Sequence, residues 1–234
     1  MNENQYRGVA QWPSFQLEDE LVRAHGSQLD YVAGVDEVGT GALAGPVVAG
    51  AVVLQVKETD WYRELDDSKK LNASARQRLS ELVRRHSVAH GVGAVSVAEL
   101  DALGMVKARA LAMRRALETM RRESPRLVEA RLGVIVDGKT LRSRDAAGGL
   151  PALYTDRADA KSLSVAAASI VAKVYRDGLM RELARTVPGY GLERNVGYPS
   201  PEHRSALNRL GPSAEHRRSF GPVRAAQRVL ARRG

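Results

Sequence analysis

The stretch Tyr31 to Leu54, YVAGVDEVGTGALAGPVVAGAVVL, constrains the chain more than any other, because it sets two adjacent carboxylates between two apolar runs and directly ahead of three glycines. Tyr31, Val32 and Val35 lead in and Val47, Val48, Val52, Val53 and Leu54 lead out, so both flanks predict buried strands joined by a turn over Gly39 to Pro46. An ionised Asp36 or Glu37 at the buried edge of a sheet is costly unless a cation or a tight hydrogen-bond set compensates it. One reading is a metal site. The other is that one carboxylate caps the glycine turn while its neighbour faces solvent, since adjacent strand residues point to opposite faces. Gly39, Gly41 and Gly45 spell GxGxxxG, one residue off the dinucleotide fingerprint, which argues against a Rossmann site.

Ahead of this stretch, residues 1–14 read as a loose leader, and Phe15 to His25 has helical spacing that ends at Gly26. After it, Asp66 to Leu71 (DDSKKL) is a polar connector whose Lys69 and Lys70 meet either phosphate or water, followed by Asn72 and Ser74 as caps for a helix through Arg85. Val88 to Val95 alternates like a strand, and Ser96 to Glu99 (SVAE) is a capping box opening a long helix towards Arg122, interrupted early by Gly104.

Leu132 to Val136 is a short apolar strand that delivers Asp137 at its end, with Gly138 next, a pair that also signals a hairpin. Arg142 to Gly149 reads as a loop and Pro151 to Tyr154 as one more short strand. Asp159 then precedes SLSVAAASIVAKVYRDGLMREL, a helix packed closely on a sheet, and is either its cap or a further metal ligand. This order predicts an α/β domain with a mixed sheet, residues 15–187, and a basic helical appendage, residues 188–234, with a short helix from Ser200-Pro201 to near Gly211.

The 44% hydrophobic content suffices for a sizeable core, and the absence of Cys removes disulfides, thiolate metal sites and a cysteine nucleophile. The longest uncharged apolar run, Ala42 to Leu54, falls short of the roughly 20 residues a membrane span requires, and the N-terminus lacks a signal-type apolar core. The expectation is a cytoplasmic protein that does not enter a membrane. The net charge of +9 is concentrated towards the end, where Pro201 to Gly234 hold eight Arg against two Glu. Such a tail suits a polyanion or forms a solvated basic surface.

Taken together, VAGVDEVGTGALAGPVV, DSKKL, IVDGK, ADAKSLSVAAASIVAKVYRD, GYPS and HRRSFGPV, in this order from about Leu17 to Val223, resemble ribonuclease HII, the bacterial endonuclease that cuts RNA in RNA–DNA hybrids. The resemblance implies a ribonuclease H-like fold with a mixed central sheet flanked by helices, plus a small C-terminal helical appendage. It places the family's four acidic residues on Asp36, Glu37, Asp137 and Asp159 as catalytic metal ligands. An all-oxygen set of this kind suits Mg²⁺ or Mn²⁺, as a two-ion site, better than zinc. The resemblance further implies a monomer acting on RNA–DNA hybrid or ribonucleotide-containing duplex DNA, leaving 5′-phosphate and 3′-hydroxyl ends. Gly39, Thr40, Gly41, Lys69 and Tyr198 fall on substrate-binding positions, Tyr198 packing on the deoxyribose beyond the ribonucleotide. His216 to Phe220 match the family without a role that chemistry dictates, packing or tail anchoring being as open as substrate contact.

Three departures concern the grip on nucleic acid. Thr40 stands where the family usually has the arginine of Gly-Arg-Gly, Asn195-Val196 where it has His-Lys, and Gly104-Met105 where it has Asn-Ile. The expectation is a metal-dependent hybrid endoribonuclease with weakened cutting at single embedded ribonucleotides. The alternative is a hybrid-binding protein of the same fold with little turnover.

Overall fold

In the computed structural model, the structure describes residues 12–26, 28–57, 59–66, 68–139, 141 and 145–231. Most of the expected leader, Asp67 of the connector, Arg142 to Arg144 of the expected loop and the last three residues lie outside the described residues. A five-stranded mixed sheet forms the centre, in the order β3 (Ala89–Val95), β2 (Val47–Val53), β1 (Tyr31–Val38), β4 (Leu132–Asp137), β5 (Ala152–Thr155). β2 runs antiparallel to both of its neighbours, β3 and β1, and β4 and β5 run parallel to β1. The Asp137-Gly138 pair therefore opens no hairpin, because the strand that follows lies parallel to the one it ends.

Helices cover both faces. α1 (Gln16–Ala24), α2 (Ala73–His86) and α5 (Leu163–Thr186) lie on one, and α3 (Val97–Leu103) leads into α4 (Met105–Glu123) on the other. The caps are those the local sequence announces. Asn72 accepts from the Ala75 amide, and Ser96 and Glu99 form the reciprocal capping box. Gly104 divides the expected long helix into α3 and α4, at a φ of +77°. No helix among the described residues is long and apolar enough to cross a membrane.

α5 sits directly on the sheet. A Cβ on Gly34 would come within 2.2 Å of the Ser164 and Val165 backbone, and one on Gly50 within 2.4 Å of the Ala168 carbonyl oxygen, so only glycine fits at either place. The helix answers with small residues, Ser164, Ala166, Ala167, Ala168 and Ser169, all buried. The helix N-terminus is fixed by Ser162, whose Oγ accepts from Val165 N at 3.1 Å and donates to Glu18 Oε1 at 2.7 Å. Ser162 is thus the cap of α5, and Asp159 is left available for another role.

After α5, helices α6 (Leu192–Asn195), α7 (Pro201–Leu210) and α8 (Gly221–Ala231) fold back onto the turn between β1 and β2. Leu43 N donates to Gly197 O, Gly45 N to Glu215 O and Arg217 N to Leu43 O, so the C-terminal region and the glycine turn share one backbone network. Val223 and Ala226 of α8 are buried against Leu43 and Leu207. Within the basic tail, α8 is consequently a packed helix whose apolar face joins the core, with Arg224 and Arg228 exposed.

Candidate active site

The parallel β1–β4 pairing sets Val35 opposite Val136, so one step further along both strands brings Asp36 beside Asp137. Asp137 Oδ1 accepts from Ala158 N at 2.7 Å, which draws in the 3₁₀ turn Ala158–Ala160 and with it the buried Asp159. The tertiary pairing therefore collects at one sheet edge all four acids that the sequence scatters along the chain.

Strand alternation separates the adjacent pair. Asp36 pairs across strands with Gly50 on the α5 face and is hydrogen-bonded by the Ser169 hydroxyl, while its Oδ1 accepts from Glu37 N at 2.8 Å. Glu37 turns to the α4 face, where its Oε1 lies 2.7 Å from Arg109 Nη2. Neither carboxylate faces solvent in the manner of a simple turn cap, since Asp36 is buried and the Glu37 side chain is only 9% exposed.

This burial has an electrostatic consequence. Desolvation, then the charges of Glu37, Asp137 and Asp159, push the Asp36 carboxyl well above the usual carboxylate range, with Ser169 opposing only in part. Burial raises Glu37 as well, against the pull of Arg109. Glu37 Oε2 is buried and has no hydrogen-bond partner. Among the described residues no three acidic or imidazole groups stand as a ready-made ligand set, with Glu37 engaged by Arg109 and Asp137 by the Ala158 amide. Oxygen-only donors, an unsatisfied buried carboxylate oxygen and mutual repulsion all fit a hard divalent cation.

The expected substrate-binding residues surround this edge. Gly39, at a φ of +92°, has Arg176 Nε within 2.2 Å of where a Cβ would stand, so the turn closes over a buried guanidinium. Exposed Gly41 lies beside Tyr198, whose Cε1 would be 3.8 Å from a Gly41 Cβ. Lys69 is exposed and follows Ser68, whose buried hydroxyl lies 2.9 Å from that of Ser169, the partner of Asp36.

Two buried arginines support the turn, and their burial is not evident from the sequence alone. Arg176 of α5 donates to the carbonyls of Ala44, Pro46 and Val196, and its guanidinium lies 5.5 Å from the Tyr198 ring centroid. Arg217 donates to Thr40 O, Gly45 O and Pro46 O. The HRRSF segment thereby acquires a role in packing and anchoring. His216 is buried beside His203, which bonds the Tyr198 carbonyl, and Asp101 accepts from the amides of Arg218 and Ser219.

The departures at 195 and 196 also have a structural account. The Asn195 side chain donates to Tyr190 O and accepts from Gly197 N, while Val196, at a φ of +43°, packs beside Ala44 and Met180. Both side chains are engaged in shaping the turn that presents Tyr198. Arg109, by contrast, has only a faint trace in the sequence, as a basic residue bordering the alanine-rich buried face of α4.

Comparison with known proteins agrees with this geometry. The ribonuclease HII family model matches residues 33–223. The chain is 49% identical to ribonuclease HII of Rhodospirillum rubrum over 88% of this chain and 89% of the relative. It is 46% identical to ribonuclease HII of Thermus thermophilus over 83% and 88% of the two chains. Crystal structures share the fold, among them ribonuclease H2 of Pyrococcus horikoshii (TM-score 0.68, 27% identity, covering 86% of this chain and 99% of that one). A ribonuclease HIII crystallised with Mn²⁺ superposes with a TM-score of 0.69 at 22% identity, covering 89% of this chain and 73% of the other. The extent of these matches, together with acids gathered at the ends of β1 and β4, identifies the chain as a member of the ribonuclease HII family, a type 2 ribonuclease H.

Proposed function

We propose that this enzyme hydrolyses the RNA strand of RNA–DNA hybrids at the Asp36, Glu37, Asp137 and Asp159 edge with the help of Mg²⁺ or Mn²⁺, leaving 5′-phosphate and 3′-hydroxyl ends. The observation that carries the reading is the Asp36 carboxyl, buried among three other acids whose charges raise it and therefore suited to a cation. Asp36, Glu37, Asp137 and Asp159 would hold the ions, which would supply an activated water and charge stabilisation for the departing oxygen.

The remaining work falls to the chain itself. Asp36 is oriented by Ser169, which is in turn within hydrogen-bonding distance of Ser68. Gly39 and Gly41 let backbone amides approach a ribose 2′-hydroxyl and the adjoining phosphate, and Tyr198 offers a ring for the next sugar. With Thr40 in place of an arginine, this grip is short of one charge-assisted contact, so a lone embedded ribonucleotide is cut more weakly than a long hybrid, which can bind in many registers.

A labelled hybrid incubated with Mg²⁺ or Mn²⁺, with and without chelator, tests the reading. Cleavage that depends on the ion is expected, and intact hybrid under every metal condition would overturn it.

A further inference from the structure

Arg109 brings a cation into the carboxylate edge. Its side chain is 21% exposed and crosses from α4 towards the ends of β1 and β4: Nη2 is 2.7 Å from Glu37 Oε1, and a Cβ on Gly138 would lie 3.3 Å from that same nitrogen. Nε is buried and has no hydrogen-bond partner, so the guanidinium is only partly satisfied where it stands beside the acid set. The two arginines beneath the glycine turn are already committed to backbone carbonyls, and position 40 carries Thr.

A role in charge balance alone would be met by the Glu37 contact and would leave unexplained a partly exposed guanidinium that is not fully satisfied. We propose that Arg109 is a phosphate-contacting residue of the active site. In the substrate-free protein it holds Glu37. Once divalent cations neutralise the carboxylates and hybrid is bound, it donates to a non-bridging oxygen of the hybrid backbone next to the scissile bond. A guanidinium suits this exchange because its planar fork matches carboxylate and phosphate oxygens alike. The proposal rests on the hybrid-cleaving reading above.

The test compares wild type, Glu37→Gln, the double variant Glu37→Gln with Arg109→Met, and Arg131→Met as a control. Arg131 lies at the opposite end of the same strands, paired with Asp30. The double variant removes both partners together, so no buried charge is stranded and folding is preserved. Hybrid affinity is measured against salt concentration, in chelator and in Ca²⁺.

Relative to Glu37→Gln, the double variant should bind roughly tenfold more weakly, and its slope of log affinity against log salt should fall by about one. Arg131→Met should match wild type. Unchanged affinity and slope in both buffers, with hybrid still bound, would overturn the Arg109 assignment and leave the proposed activity standing. A wild type that neither binds nor cuts hybrid would defeat the activity and the assignment together.

Discussion

Arg176 and Arg217 donate to the same acceptor, the Pro46 carbonyl oxygen, at 3.0 and 3.2 Å. Both side chains are wholly buried, and burial together with the neighbouring Arg176 charge brings Arg217 down to about 9. Arg176 comes from α5 and Arg217 from the segment before α8, so their shared hold joins α5, the glycine turn and the C-terminal region.

Replacing Arg217 by Met should therefore destabilise the protein by about 2–4 kcal/mol, because the Thr40 and Gly45 carbonyls lose this donor and Pro46 O keeps only Arg176. Urea denaturation measures this. A loss below about 1 kcal/mol would mean that water satisfies those carbonyls equally well.

The His203–His216 pair predicts a pH dependence. Ser213 N donates to His216 Nδ1 and His203 Nδ1 faces the Tyr198 carbonyl, so His216 Nε2 donates to His203 Nε2 at 3.0 Å only while both rings are neutral. Burial lowers both rings, and His216, beside His203, falls to about 4. In the unfolded chain they bind protons near pH 6.5. Between these values the unfolded state holds more protons, so stability is full above about pH 6.5 and declines as pH falls towards 4. The decline attributable to the pair should be on the order of 1–2 kcal/mol and should flatten in His216→Gln, as urea midpoints at several pH values would reveal.

Asp36→Asn should abolish hybrid cleavage and leave hybrid binding within a few-fold of wild type, because it removes a cation-ligand charge and spares the basic surface. In chelator at pH 7 the variant should also melt several degrees higher. The folded-state pKa of Asp36 is raised, so the stability it contributes below the unfolded value is lost as pH rises through the folded one, and Asn removes that penalty. Near-normal turnover, or a lower melting temperature in chelator, would contradict the role given to this carboxylate.

Arg224 and Arg228 lie exposed on α8, while Val223 and Ala226 anchor the same helix in the core. Truncation from Val223 would therefore unpack Leu43 as well as remove charge. Arg224→Gln with Arg228→Gln isolates the charge: the salt slope for hybrid binding should fall by up to about 2, with the cut position unchanged. A steady slope would place these arginines outside the hybrid's path.

Thr40→Arg should raise cleavage of a duplex with one embedded ribonucleotide by roughly tenfold or more, with a smaller gain on long hybrids, since one charge-assisted phosphate contact is added at a single register. Equal gains on both substrates would point to general attraction instead of placement at the ribonucleotide.

What the sequence determined by itself was local. Strand pairs flanking a glycine turn, Asn72 and Ser96 as caps, the break at Gly104 and acids at strand ends are all written within a few neighbouring residues, because caps, turns and alternation are short-range physics. The tertiary structure decided where those acids meet. The parallel register of β1 and β4 and the Ala158 amide bring Asp137 and Asp159 to Asp36; Asp159 is freed from capping because Ser162 performs it; and alternation sends Asp36 to α5 and Glu37 to α4. Arg109, Arg176 and Arg217 acquire their partners only through helix placement and chain return. The acceptors of the latter two are backbone carbonyls, which every residue carries and no sequence pattern distinguishes, so their roles become legible only once the chain has folded.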